Sequence, residues 1–234
     1  MPISGNRSIQ ECRICRQRSF FCRMALNRHN PSHNSLAVLR QFVRKPRVSL
    51  ERCELCAAQL ALNHQHLLEL EKEQVTCACD PCAILFGGNS RQRYRRIPRD
   101  VQQLTDFAMD DFEWESLLIP INLAYFVKVD DAGETVARYP SPGGAMESSL
   151  DLEYWSAIVE RNPALRSFEP KVEALLVNRI STPMYFRAPI DQCFRLVGLI
   201  RKNWRGLSGG AEVWHEIDGF FAELKARSSE AQIA

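Results

Sequence analysis

The sequence predicts an α+β fold: a small, zinc-ribbon-like cysteine-knuckle module packed on an α+β body. Three observations predict it. Two C-x2-C pairs, Cys53–Cys56 and Cys79–Cys82, are separated by 22 residues. Strand-like and helix-like segments follow one another without the regular alternation of a doubly wound sheet. Near the C-terminus, "DQCFRLVGLIRKNW" and "AEVWHEIDGFFAELKA" read as two amphipathic helices joined by "RGLSGG". A chain of 234 residues, 45% hydrophobic and 25% charged, has enough apolar residues for such a core.

The first element is an arm. Residues 1–50 hold ten Lys and Arg and one acid, Glu11, for a net +9, and the rest of the chain carries −7. "GNRSIQECRICRQRSFFCR" and "NRHNPSHNS" are polar, with little apolar periodicity, so residues 1–34 read as a basic, disordered arm. Order is expected from Ser35, where "SLAVLRQFVRK" places Leu36, Leu39, Phe42 and Val43 at helical spacing. That helix and the cysteine-rich stretch make up a module over residues 35–99.

Five cysteines fall between positions 53 and 82. A C-x2-C turn holds two thiolates on one tight knuckle, and two such knuckles supply the tetrahedral sulfur shell that Zn2+ favours. Cys53, Cys56, Cys79 and Cys82 are therefore the expected metal ligands. Zinc is the expected ion and iron the alternative, since both accept four thiolates. Cys77 is then spare; it reads as packed under the knuckle or as a register alternative to Cys79. In "LNHQHLLEL", His64 and His66 would point to one side of a strand and diverge on a helix. They are alternate ligands beside the thiolates, or else hydrogen-bonding residues. Cys12, Cys15 and Cys22, with His29 or His33, contain one C-x2-C and otherwise irregular spacing, a weak second metal signal.

"AILF", Ala83 to Phe86, is apolar and is expected to pack the module onto the body. Five arginines and Tyr94 follow within residues 91–99. Such a run can bind nucleic acid, but a solvated edge strand bonded to Glu69, Glu71, Glu73 or Asp80 is the simpler reading.

The body spans residues 100–234. "INLAYFVKV" and "ETVARYP" flank Asp130–Gly133, a hairpin signal. "SLDLEYWSAIVERN" reads as a capped helix, "VEALLVNRI" as a strand or a buried helix, and "PMYFRAP" as a short strand. The loops "PSPGGAMES" and "RGLSGG" each stand before a helix, where amide N–H groups can hold an anion. For the second, Arg201, Arg205, Ser208, Gly209 and Gly210 are the candidate anion-binding residues; the alternative is a tight connection. Cys193 reads as core. His215 stands outside any acid–base–nucleophile arrangement, and Trp204 and Trp214 read as packing residues. No motif carries a reaction, so binding or assembly is expected before catalysis. No run of eighteen apolar residues and no secretory h-region occurs, which predicts a cytoplasmic chain without a membrane span.

Taken together, "RCELC", "HQHL", "CACDPCAILF", "RYRRIP", "YPSPGGAMESSLDL", "VEALLVNRI" and "RLVGLIRKNWRGLSGGAEVW" resemble a family of domains of unknown function. Its members are often encoded beside high-affinity uptake nickel–iron hydrogenases. The resemblance covers about Leu36 to Lys225 and leaves out Cys12, Cys15 and Cys22. It implies an accessory role in assembling or maturing a hydrogenase, with hydrogenase subunits or maturation factors as partners. An enzyme with an anion or nucleotide pocket between the glycine loops is the second expectation, and a zinc-ribbon nucleic-acid binder the third.

Overall fold

The structure is a computed structural model that describes residues 51–88, 93–148, 152–206 and 209–231. The arm, the helix expected from Ser35 and Cys12, Cys15 and Cys22 lie outside the described residues. What is described mixes helices with two mainly antiparallel sheets.

The smaller sheet has three strands: β1 (Gln65–Glu69), β2 (Gln74–Ala78) and β3 (Tyr94–Arg96), in the order β2-β1-β3. The segment whose periodicity is ambiguous is thus a strand. The ambiguity has a physical cause: consecutive Leu67 and Leu68 are both buried, in two different cores. Leu67 packs with Cys53, Leu60 and Cys82, whereas Leu68 joins the core of the body. A strand buried on both faces loses the alternation that marks a half-exposed one.

Helix α1 (Asp80–Phe86) leaves β2 at the second knuckle. It does not pack the module onto the body as expected. Cys82 and Ala83 are buried, but Ile84, Leu85 and Phe86 are 72%, 68% and 44% exposed. The short helix turns its inner face to the cysteines, and Leu68 and Ile97 make the apolar connection to the body instead. Gly87 ends the helix where there is no room for a side chain. A Cβ there would lie 2.6 Å from the Ala83 carbonyl oxygen and 2.9 Å from Arg96 Cβ.

The body is built on seven strands: β4 (Gln102–Leu104), β5 (Leu123–Lys128), β6 (Thr135–Ser141), β7 (Gly144–Ser148), β8 (Glu173–Asn178), β9 (Met184–Pro189) and β10 (Ser229–Ala231). Their order is β10-β4-β9-β8-β5-β6-β7, and only the β10–β4 pair is parallel. Helices cover both faces. On one, α4 (Ile190–Asn203) and α5 (Gly210–Arg227) bury Leu196, Ile200, Ile217 and Phe221 against Tyr125, Leu176 and Phe186. On the other, α2 (Asp111–Ser116) and α3 (Leu152–Arg161) bring Trp114 and Trp155 onto Phe126, Leu175 and Val177. Residues Glu173–Asn178 of β8 are all buried, so the run "EALLVN" is continuous rather than alternating.

The Asp130 hairpin forms as expected. Its carboxylate accepts from the N–H groups of Gly133 (3.0 Å) and Glu134 (3.1 Å), and Gly133 adopts φ +96°. The first glycine loop does not open a helix. It closes the β6–β7 hairpin, with Ser141 Oγ donating to the Gly144 carbonyl at 2.9 Å and accepting from Gly143 N–H at 3.1 Å, and α3 begins only at Leu152. Cys193 is fully buried, as expected.

Candidate metal centre

The first knuckle is a loop closed on itself. Cys53 N–H donates to the Ala58 carbonyl at 2.7 Å, and its own carbonyl accepts from Ala57 N–H at 2.8 Å, with Ala57 in the left-handed region at φ 62°. Glu54 ties this knuckle to β2: its N–H donates to the Cys77 carbonyl (2.9 Å) and its carboxylate accepts from Cys77 N–H (3.0 Å). The second knuckle is the start of α1. Cys79 is the N-cap, Pro81 stands in the first turn, and Ala83 N–H donates to the Cys79 carbonyl at 2.9 Å. A proline needs no N–H partner there, so it suits a helix opening at a ligand pair.

These two elements bring the sulfurs of Cys53, Cys56, Cys79 and Cys82 within 4.8 Å of one another, with Cys56 Sγ 3.6 Å from Cys79 Sγ. A tetrahedral ion with metal–sulfur bonds of about 2.3 Å has sulfurs about 3.8 Å apart. The four thiols fit such an ion with small adjustments. Their acidity is already divided. Burial raises the Cys53 thiol, but hydrogen bonds from the backbone N–H groups of Cys79, Cys56 and Leu55 outweigh it and lower the pKa to about 6. Cys82 moves the other way, raised by burial and by its three neighbouring thiols. Cys53 is thus prepared as an anion, while Cys82 holds a proton that an ion would displace.

The remaining candidates form a separate group. His66 stands directly opposite Cys77 in the β1–β2 ladder, and the two imidazole rings lie 5.0 Å apart. His64, His66 and Cys77 offer ligand atoms within 4.8 Å of one another. His66 lies on β1 and His64 directly precedes that strand, and their rings meet in a group separate from the four thiols. Nor does Cys77 stand in for Cys79. Cys77 is disulfide-bonded, and Cys53, Cys56, Cys79, Cys82 and Cys193 are free. Burial lowers the His64 pKa, favouring the neutral ring. Asp191 was missed by sequence reasoning. Its carboxylate lies 2.7 Å from His66 Nδ1 across 125 residues of chain, and no local pattern signals such a pair.

Tyr94–Arg96 of the arginine run form an edge strand, and the described arginines of the run are bonded to their surroundings. Arg93 pairs with buried Glu69 at 2.6 Å, Arg95 donates to the Pro170 carbonyl at 3.1 Å, and Arg96 donates to Gln65 at 3.2 Å. The described part of the second glycine loop is tightly built. Arg205 N–H donates to the Gly209 carbonyl at 3.0 Å, and its guanidinium donates to the carbonyls of Lys202 and Trp204 at 3.2 and 3.1 Å. Gly209 has φ +86°, and a Cβ there would meet Val213 Cγ1 at 2.8 Å. Arg201 is exposed, Gly210 opens α5, and Ser208 lies outside the described residues.

A family profile described as a family of unknown function, DUF5947, matches residues 52–228. The chain belongs to the DUF5947 family. The match begins one residue before Cys53, so both cysteine knuckles and the His64–His66–Cys77 group fall within the DUF5947 region. No curated protein and no solved structure matches the chain. Among the described residues, no helix is long and apolar enough to cross a membrane.

Proposed function

We propose that this chain is a metal-binding accessory protein that acts by protein–protein contact, and that its zinc-ribbon-like module is the docking end. Cys53, Cys56, Cys79 and Cys82 would hold one ion, zinc by the preference of a closed four-thiolate shell, with iron as the alternative. The ion would supply structure, tying the first knuckle to α1. A closed shell leaves no open position for substrate, which suits a scaffold better than a reaction.

One observation carries the docking part. Ile84, Leu85 and Phe86 stand exposed in succession on the helix that the second knuckle opens. A contiguous exposed apolar patch marks a contact site. The resemblance to a family encoded beside uptake nickel–iron hydrogenases supplies the candidate partner, a hydrogenase subunit or maturation factor. The test is affinity capture from the native host with the parent and with Ile84→Glu/Leu85→Glu. The reading expects a hydrogenase subunit or maturation factor with the parent and its loss with the variant. Recovery of neither class with the parent counts against the hydrogenase assignment, and equal recovery with both counts against α1 as the contact.

A further inference from the structure

We propose that His64, His66 and Cys77 form a second divalent-metal site, separate from the four-thiol centre and open only when Cys77 is reduced. Three observations converge. The ligand atoms are already assembled: His66 and Cys77 are cross-strand partners in the β1–β2 ladder, and His64 precedes His66 by two residues on the same side. Each histidine is held through Nδ1. His64 Nδ1 lies 3.0 Å from the Ala61 carbonyl, and His66 Nδ1 lies 2.7 Å from the carboxylate of buried Asp191. An Nδ1–H donated to a carbonyl or carboxylate fixes the tautomer and leaves Nε2 with its lone pair. That is how protein histidines are oriented toward metals. Finally, His64 Nε2 is buried with no hydrogen-bond partner, on a side chain only 3% exposed. A buried acceptor without a partner is costly to a folded protein, so its persistence calls for an explanation. A bound ion provides one.

Two imidazoles and one thiolate suit a borderline ion such as Zn2+, and three protein ligands leave a fourth position for water or another donor. The disulfide at Cys77 sets the condition. A dithiol reductant passes two electrons and two protons to that bond, giving two thiols and its own cyclic disulfide. The Cys77 thiol then gives up its proton as the ion binds. Loading of this site therefore follows the thiol poise of the surroundings, whereas the four-thiol centre needs no such reduction among its described cysteines.

The full-length chain, stripped of metal, is titrated with Co2+ and then Zn2+ without oxygen, with and without dithiol. Co2+ gives each site its own visible and thiolate charge-transfer absorption. The reduced protein is expected to take a second equivalent, with a one-thiolate signature, that the oxidised protein lacks. His64→Ala/His66→Ala should remove that equivalent and leave the four-thiolate bands intact, and Cys53→Ser/Cys56→Ser should do the reverse. Asp191→Asn, a milder change, should weaken the second equivalent by about 10–100-fold. A single equivalent in the reduced parent, or a second equivalent indifferent to the histidine and Asp191 substitutions, overturns the proposal. Either result leaves the four-thiol reading standing.

Discussion

Asn162 is fully buried, and its whole amide is in use. Its oxygen accepts from Ala108 N–H at 2.8 Å, and its Nδ2 donates to the carbonyls of Ala108 and Ile158, both at 2.8 Å. The side chain thus locks the loop after β4 to the end of α3. Asn162→Ala removes the side-chain partner of the Ala108 N–H and carbonyl, at a cost of about 1–3 kcal/mol, whereas the Ile158 carbonyl keeps the backbone N–H of residue 162 at 3.0 Å. Urea denaturation should give a lower midpoint with an unchanged slope, and an unchanged midpoint would refute this role. Nothing in the sequence distinguishes Asn162, because the loop it holds, at Ala108, lies 54 residues away. The four cysteines are the opposite case. Two thiols three residues apart must share a turn, so the two knuckles that meet in the four-thiol group are legible from spacing. His64 and His66 fall between. Strand periodicity predicts that they share a side, but their association with Cys77 depends on the register of β1 on β2, which spacing does not encode.

At the scale of elements, legibility follows burial. The α3, α4 and α5 runs are read directly, because each keeps an apolar stripe and a polar face. The hairpin β5–β6 is read from its turn. Strand β8, covered on both faces, is indistinguishable from a buried helix by period. Short elements such as β4, β10 and α2 carry too few residues for a period and are held by their neighbours in the sheet or by the Asp110–Glu113 capping box. Helix α1 is the most informative failure. Its apolar residues suggest burial, yet the helix spends its inner face on the knuckle and leaves three large side chains exposed. Its placement rests on Gly87. Gly87→Ala should push the end of α1 away from β1 and β3, because the new methyl would meet Arg96 Cβ at 2.9 Å and Leu67 Cδ2 at 3.0 Å. Overpacking of this kind costs about 1–3 kcal/mol. It should appear as a lower thermal midpoint together with weaker metal retention against a chelator, and metal retention equal to the parent would contradict the coupling.

Across the whole molecule, two cores of different origin meet. The body has two apolar layers on a seven-stranded sheet. The module has a small apolar cluster, of which Cys53, Cys77 and Cys82 are themselves members. Among the described residues that core is small and would gain most from a bound ion; structural zinc in comparable small modules supplies about 10–16 kcal/mol of apparent binding free energy. Removing the ion with a chelator should therefore open β1, β2 and α1 first. Amide hydrogen exchange should rise at Cys53–Cys56 and Asp80–Phe86 while β5, β8 and α4 stay protected. Uniform loss of protection would show that the two cores fold as one unit. The central claim is that Cys53, Cys56, Cys79 and Cys82 hold a metal ion. The most direct measurement is elemental analysis of the full-length chain purified under reducing conditions, beside a Cys53→Ser/Cys56→Ser variant prepared in the same way. Zinc or iron is expected in the parent, and one ion fewer per chain in the variant. Neither metal in the parent, or equal metal in both, would contradict it.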